Sequence, residues 1–226
     1  MVLENSQSNF YHDYENGYLE QIKSVVNATR TCCHWRAAAL GDRALWGALI
    51  NIENNQKVWL EELIRRSGSS GPLVVQSHDF FEDTRVSLEG LLLPNNIKKI
   101  KILQVEDPES HLYTVLDRFC HPAPALECFK IREAHADDEP MEDVFRTEIR
   151  LFADCASALK CLSIDVNFFL PKINFFSGFK LRHLSIYNAD SCLGMDVIDW
   201  PDVLAEQPYL ECLHLTVFDR FDYRDS

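Results

Sequence analysis

The 226-residue chain lacks the short motifs that mark the commonest catalytic and metal-binding sites. It has no Cys-x-x-Cys pair, no Gly-x-Ser-x-Gly segment and no glycine-rich loop ending in Gly-Lys-Ser or Gly-Lys-Thr. These absences argue against a zinc ribbon, a thioredoxin-type site, a serine-hydrolase nucleophile and a phosphate-binding loop. The pairs His12-Asp13 and His78-Asp79, and His111, have no nucleophile motif around them. We therefore expect a protein that is not an enzyme.

Positive charge and long apolar stretches are also scarce. The chain has 22 Lys and Arg against 35 Asp and Glu, a formal net charge of −13. Nucleic acids and anionic membranes both select a cationic surface, so we expect neither as a main partner. No stretch approaches the roughly 18 apolar residues of a membrane span, and residues 1–18 lack the basic and apolar segments of a secretory signal. These features predict a soluble protein of the cytoplasm, the nucleus or both.

The eight cysteines are interpreted as reduced thiols that serve as small hydrophobic residues. Cys161, His183 and Cys212 recur at the same position of a repeated pattern described below. On adjacent strands about 4.8 Å apart, the outer two would be about 9.6 Å apart and would not close a tetrahedron. The acidic residues 137–143 lack the alternating ligands and the glycine of a calcium loop. The sequence therefore predicts neither a metal nor a cofactor.

Helical patterns fill residues 17–66, after a polar and acidic segment at residues 1–16 that we interpret as a loose tail. Apolar residues at helical spacing from Leu19 to Leu40 predict a helix that Gly41 ends. Residues 56–66 predict an amphipathic helix. The following sequence SGSSG, residues 67–71, is interpreted as a hinge before a second part at residues 67–226.

A six-residue apolar pattern, Leu-x-x-Leu-x-Leu with Ile or Phe as substitutes, recurs through that second part. Its five copies are spaced 22 to 33 residues apart and begin at Ile97, Leu126, Leu159, Leu181 and Leu210. In a strand, the fourth and sixth residues of each copy point inward, and the third, fifth and seventh point outward. No proline falls within a copy. The pattern predicts an irregular leucine-rich-repeat solenoid with a curved parallel sheet.

The outward positions of these strands predict a concave binding face. Its candidate partner-binding residues are Lys99, Lys101, Lys130, Arg132, Ser163, Asp165, His183, Ser185, Tyr187 and His214. Cys128, Cys161, Cys212 and Thr216 fall on the same face. Cationic residues gather on the early strands, which suits a protein partner with an acidic or phosphorylated segment. The alternative is an ordinary solvated sheet surface.

Residues 31–46, TCCHWRAAALGDRALW, resemble the F-box of F-box-like proteins expanded in mushroom-forming fungi. That F-box often reads roughly Val-Cys-x-x-Trp-Arg-x-x-Ala-Leu, followed by Leu-Trp, with Cys32 or Cys33 in the cysteine role here. Residues 59–75 resemble the helix and strand that commonly follow in that family, and the resemblance spans about residues 28–218. The Leu-Pro-x-Glu-like opening of an F-box is missing before Thr31. The implied fold is α/β, with a short, incomplete F-box-like helical module followed by the solenoid.

The resemblance implies a subunit of a cullin-based (SCF) ubiquitin ligase that binds a Skp-type adaptor and recruits an unknown target protein on the solenoid. The implied adaptor-binding residues are Cys33, Trp35, Arg36, Leu40, Leu45 and Trp46. An alternative for four of them, Trp35, Leu40, Leu45 and Trp46, is that they close a small helical core against Trp59 and Leu63. A second function also stays open, in which the chain is a leucine-rich-repeat scaffold with a decayed F-box and no ligase role.

Overall fold

A computed structural model describes residues 24, 25, 27–53, 57–77, 82–107, 119–133, 151–165, 179–187 and 204–216. The helices are α1 (Cys33–Gly41), α2 (Arg43–Ala48), α3 (Lys57–Ser67), α4 (Glu82–Leu91) and α5 (Pro94–Ile97). The strands are β1 (Ile50–Asn51), β2 (Leu73–Ser77), β3 (Ile100–Asp107), β4 (Cys128–Glu133), β5 (Cys161–Asp165), β6 (His183–Tyr187) and β7 (Cys212–Thr216). The predicted tail at residues 1–16 and the acidic residues 137–143 lie outside the described residues.

The seven strands form one parallel sheet in which each strand pairs with the next along the chain, from β1 to β7. Parallel neighbours need a crossover connection between them, and α3 supplies one between β1 and β2. Helices α4 and α5 supply the next, between β2 and β3. The predicted α/β class with a parallel sheet is confirmed.

Two rows of apolar side chains form the interior side of the sheet. The strand register aligns Leu103, Phe129, Leu162 and Leu184 in one row, and Val105, Ile131, Ile164 and Ile186 in the other. All eight are at most 2% exposed. Leu213 and Leu215 extend the two rows onto β7, where Leu213 is 40% exposed. The predicted inward positions are therefore correct for the copies that begin at Leu126, Leu159 and Leu181.

The predicted first copy of the pattern is misplaced by three residues. Ile97 is the last residue of α5, and the strand that follows buries Ile100, Leu103 and Val105. Ile102, predicted to point inward, pairs with Cys128 and is only half-buried. The register between β2 and β3 also shifts between Leu73 and Val74. Because several apolar residues follow one another here, two alignments fit the pattern, and packing selects the one that starts at Ile100.

The helices and the sheet share one apolar core. Trp46, Leu60 and Leu63 belong to the same buried cluster as the interior rows of the sheet. Helix α2 packs on α3 and on β2. A Cβ atom on Gly47 would lie 1.9 Å from the carbonyl oxygen of Pro72, so only glycine permits this approach.

Hydrogen bonds from Arg43 and Lys99 hold the SGSSG segment, residues 67–71, from the residues before it and after it. Arg43 Nη1 donates to Ser70 Oγ at 3.0 Å, and Lys99 Nζ donates to the Gly68 carbonyl oxygen at 2.9 Å. Ser67 and Gly71 are buried. In addition, β1 lies within residues 17–66 yet pairs with β2, so the sheet begins before the predicted boundary at residue 67.

The predicted continuous helix from Leu19 to Leu40 is interrupted. Residues 27–31 are helical, but Cys32 has an extended backbone (φ −156°, ψ 166°) and caps a new helix, α1. The Trp35 backbone N–H contacts the Cys32 sulfur at 3.5 Å. Apolar spacing alone did not reveal the break, because the periodicity continues across it.

Candidate functional site: an exposed helix and the outward face of the sheet

Helix α1 contributes nothing to the core. None of its residues is buried, and its two large apolar side chains, Trp35 and Leu40, are 58% and 51% exposed. Arg36 Nε donates to the Thr29 carbonyl oxygen at 2.8 Å, which links α1 to the helical residues before it. The helix therefore presents an aromatic ring and a leucine to solvent from a defined backbone.

The six predicted adaptor-binding residues separate into two environments. Cys33, Trp35, Arg36 and Leu40 are exposed on α1, whereas Leu45 is half-buried at the start of α2. Trp46 is 4% exposed and belongs to the core with Leu60 and Leu63. The structure thus brings four of the residues together on one exposed helix. For Trp46, the alternative of a core residue is correct.

Trp46 is further fixed by α3. The Arg66 guanidinium lies 4.4 Å from the centroid of the Trp46 ring, a cation–π contact. Arg66 and Arg65 both donate to the Glu62 carboxylate, at 2.6 to 2.7 Å. The hydrogen bonds from Arg65 and then Arg66 lower the pKa of Glu62 to about 2. This charge cluster orients Arg66 over the tryptophan.

The outward face of the sheet consists of three rows set by the strand register. Row one is Ile102, Cys128, Cys161, His183 and Cys212. Row two is Gln104, Lys130, Ser163, Ser185 and His214. Row three is Glu106, Arg132, Asp165, Tyr187 and Thr216. Eight of the ten predicted face residues lie in these rows.

The two exceptions are Lys99 and Lys101, which were predicted from the misplaced first copy. Lys99 lies before β3, donates to the Gly68 carbonyl oxygen, and has its pKa lowered by partial burial. Lys101 lies outside the three rows and pairs with Glu127 at 3.3 Å. Their predicted places in rows one and two are held by Ile102 and Gln104, and Glu106 holds the β3 place in row three. Aligning the first copy as Ile100-x-x-Leu103-x-Val105 would have identified these three from the sequence.

The charges of the outward face balance. Lys130 and Arg132 are offset by Glu106 and by Asp165, whose Oδ2 lies 3.4 Å from Arg132 Nε. Lys101 and Lys160 both pair with Glu127, at 3.3 and 3.4 Å, near the strand starts. Within the three rows, Glu106 and Asp165 therefore reduce the positive charge that the sequence predicted for the early strands.

The β6–β7 end of the face has a different chemistry. The rings of Tyr187 and His214 lie 5.1 Å apart, and Thr216 Oγ1 is 3.1 Å from His214 Nε2. With Ser185 beside them, these side chains offer hydroxyl and imidazole groups next to an aromatic surface. Such a surface suits hydrogen bonding and ring contacts with a protein segment.

Cys128 and Cys161 are directly paired on β4 and β5, both reduced and half-buried. Hydrogen bonding from Cys128 to the thiolate form, followed by the nearby positive charge of Lys130 and His183, lowers the pKa of Cys161 to about 6. The same hydrogen bond, together with burial, raises the pKa of Cys128. The two neighbouring thiols are therefore chemically distinct.

The described residues include no group of three or more His, Cys, Asp or Glu side chains placed to hold a metal ion. No helix among them combines the length and apolar character that crossing a bilayer requires. Three histidines noted in the sequence, His12, His78 and His111, lie outside the described residues.

Comparisons with known proteins return no match, whether the chain is compared with family models, with curated proteins or with solved structures. The exposed helix α1 and the outward face of the sheet are therefore the features from which a function can be argued.

Proposed function

We propose that the protein is a non-enzymatic interaction module that recruits a target protein to a cullin-based ubiquitin ligase. In this proposal, α1 and its surroundings form an incomplete F-box-like module that binds a Skp-type adaptor. The sheet is the concave part of an irregular leucine-rich-repeat solenoid and holds the target. The ligase acts through proximity, so no residue of this chain takes part in chemistry.

The exposure of α1 is the observation that supports adaptor binding. A helix that exposes Trp35 and Leu40 and buries none of its own residues gains nothing from the core of this chain. Burying these side chains against a partner would contribute about 1 kcal/mol or more each. Exposed tryptophans on ordered helices are also frequent centres of protein interfaces. The resemblance of residues 31–46 to an F-box supplies the identity of the partner.

The strand order and the outward rows of side chains support binding of a target protein by the sheet. Each strand pairs with the next along the chain, as in stacked repeat units. The outward side chains are short, polar or aromatic and mostly half-buried, with balanced charge. A face of this kind fits a protein segment that binds through hydrogen bonds and ring contacts at the β6–β7 end.

The test is adaptor binding by the purified full chain. We expect Trp35→Ala combined with Leu40→Ala to weaken capture of a Skp-type adaptor about tenfold or more, because both side chains leave the contact. Val58→Ala is the matched control, since Val58 is a large apolar residue, 78% exposed, on the separate helix α3. Trp46→Ala is unsuitable, because Trp46 is buried in the core.

Two outcomes would contradict the ligase role. One is that the unaltered chain, with its fold verified by circular dichroism, does not bind the adaptor. The other is that Val58→Ala reduces binding as strongly as the α1 variant, which would mean that the contact is not specific to α1.

The second candidate function is a leucine-rich-repeat scaffold whose F-box has decayed. The burial of Trp46 favours it, because only one of the two tryptophans in the F-box-like segment is then available to an adaptor. Ser185→Arg on the outward face, examined together with adaptor binding, discriminates the two functions. If the chain is a scaffold, Ser185→Arg changes the set of bound proteins, and the adaptor binds neither the unaltered chain nor the variant.

A further inference from the structure

We propose that Cys128 and Cys161 form a reversible thiol-modification site, in which the Cys161 sulfur attacks a peroxide-type oxidant and Cys128 is the resolving thiol. The two residues are direct partners on adjacent parallel strands, and their side chains emerge on the same outward face. Adjacent strands lie about 4.8 Å apart, within the Cα separation of about 4.4–6.8 Å that a disulfide spans. The inference is independent of what the outward face binds.

The surroundings of Cys161 distinguish it from an ordinary surface cysteine. Cys128 flanks it on β4, and His183 flanks it on β6. Lys130, two residues after Cys128, adds positive charge. All three favour the thiolate, which is the nucleophilic form of cysteine. Reactive cysteines of redox sensors combine this character with a neighbouring resolving thiol.

The reaction balances without a metal or a cofactor. The Cys161 thiolate attacks one oxygen of hydrogen peroxide, the O–O bond breaks, and a sulfenic acid and hydroxide form. Cys128 then loses its proton and its sulfur attacks the Cys161 sulfur, so that the S–O bond breaks and a second hydroxide leaves. Protonation of both hydroxides gives two waters. In total, two thiols lose two electrons and two protons, and the peroxide is reduced.

Reversibility follows from the position of the two strands. The Cα separation suits a disulfide, but Cβ atoms of paired residues on adjacent parallel strands lie about 4.8 Å apart, slightly beyond the roughly 3.5–4.5 Å of an unstrained disulfide. Strained disulfides are the more easily reduced ones. A small dithiol would therefore restore the two thiols.

The first test is residue-resolved alkylation of the full chain by iodoacetamide, followed by mass spectrometry across a range of pH. Cys161 alkylation should fall to half near pH 6. The exposed Cys155 and Cys212 are the reference cysteines, alkylated in the same samples over the same pH range. Because the comparison uses the pH dependence of each alkylation rate and not its absolute value, the different exposure of the cysteines does not affect the result. Superimposable curves for the three cysteines would overturn the proposal.

The second test is peptide mapping after treatment with hydrogen peroxide. We expect a Cys128–Cys161 linkage that dithiothreitol removes. Cys128→Ala should abolish the linkage and raise the pH midpoint of Cys161 alkylation. Cys212→Ala is the matched control, because Cys212 is in the same row, two strands from Cys161, and both readouts should stay unchanged.

If Cys128→Ala fails to fold, Cys128→Ser retains the size and the hydrogen-bond donor, and it should abolish only the linkage. The proposal is overturned if peroxide leaves Cys128 and Cys161 unlinked in the unaltered chain. It is equally overturned if Cys161 links to Cys212 as readily as to Cys128.

Discussion

Helices α1 and α3 share several residue types but differ in what they bury. Both contain a tryptophan, a leucine and an arginine, yet α3 buries Leu60 and Leu63 whereas α1 buries no residue. In α3, the large apolar residues recur every three or four positions, which places them on one side of the helix. In α1, Trp35 and Leu40 are five positions apart with alanines between them. The number and spacing of the large apolar residues therefore separate a helix that joins the core from one that remains available to a partner.

The largest expected effect is on the free energy of unfolding, when the same Leu→Ala substitution is made in α3 and in α1. Leu63→Ala should lower the free energy of unfolding by about 2–5 kcal/mol, because it leaves a cavity at a fully buried position. Leu40→Ala, at a residue 51% exposed, should change it by no more than about 0.5 kcal/mol. Urea denaturation followed by circular dichroism measures both. Equal losses would mean that α1 is packed against the rest of the chain.

A smaller effect is expected at the caps of the first two helices. Asp42 Oδ1 accepts hydrogen bonds from the Ala44 and Leu45 backbone N–H groups at 3.0 and 3.1 Å. The Cys32 sulfur accepts one contact, from Trp35, at 3.5 Å. Asp42→Ala should therefore cost about 1 kcal/mol of unfolding free energy, since it removes a strong N-cap beside the core. Cys32→Ala should cost less, and a larger loss from Cys32→Ala would show that α1 is more strongly coupled to the fold than its exposure indicates.

The smallest effect concerns the pH dependence of stability through α3. Arg65 and Arg66 lower the pKa of Glu62 to about 2 in the folded chain, so the carboxylate favours the folded state when it is ionised. This contribution is present above the pKa of the unfolded chain, roughly 4.3, and is lost as the pH falls towards 2. Glu62→Gln should flatten the stability curve in that window, measured as unfolding midpoints between about pH 5 and pH 2. An unchanged slope would exclude the contribution, which is small because the pair is exposed.

The sequence was sufficient to predict the strands β4 to β7 and the inward residues of β4, β5 and β6. There, single apolar residues alternate with polar ones, so only one register buries the apolar set. It was insufficient at β3, where Ile97, Ile100, Ile102 and Leu103 permit two alignments. Because of that ambiguity, Lys99 and Lys101 were wrongly assigned to the three rows, and Glu106, which reduces the positive charge of the face, was missed.

The sequence also did not predict which of the candidate adaptor-binding residues are exposed. Trp35 and Trp46 occur in one motif-like segment, and the segment does not encode which of them faces solvent. Their environments depend on α3, since Arg66 covers Trp46, whereas Trp35 is 58% exposed. The Cys128–Cys161 pair was visible as two outward positions, but their contact requires the register between β4 and β5.

The chain-order arrangement of the sheet has a consequence for sequence change. In the described part of the chain, each strand bonds only with the strands immediately before and after it, so a longer or shorter connection alters at most one strand-to-strand junction. Connections of unequal length between the strands are therefore compatible with one continuous set of interior rows. In such a molecule, the connections can change in length without changes in the strands. The outward side chains can also change while the hydrophobic interior stays the same.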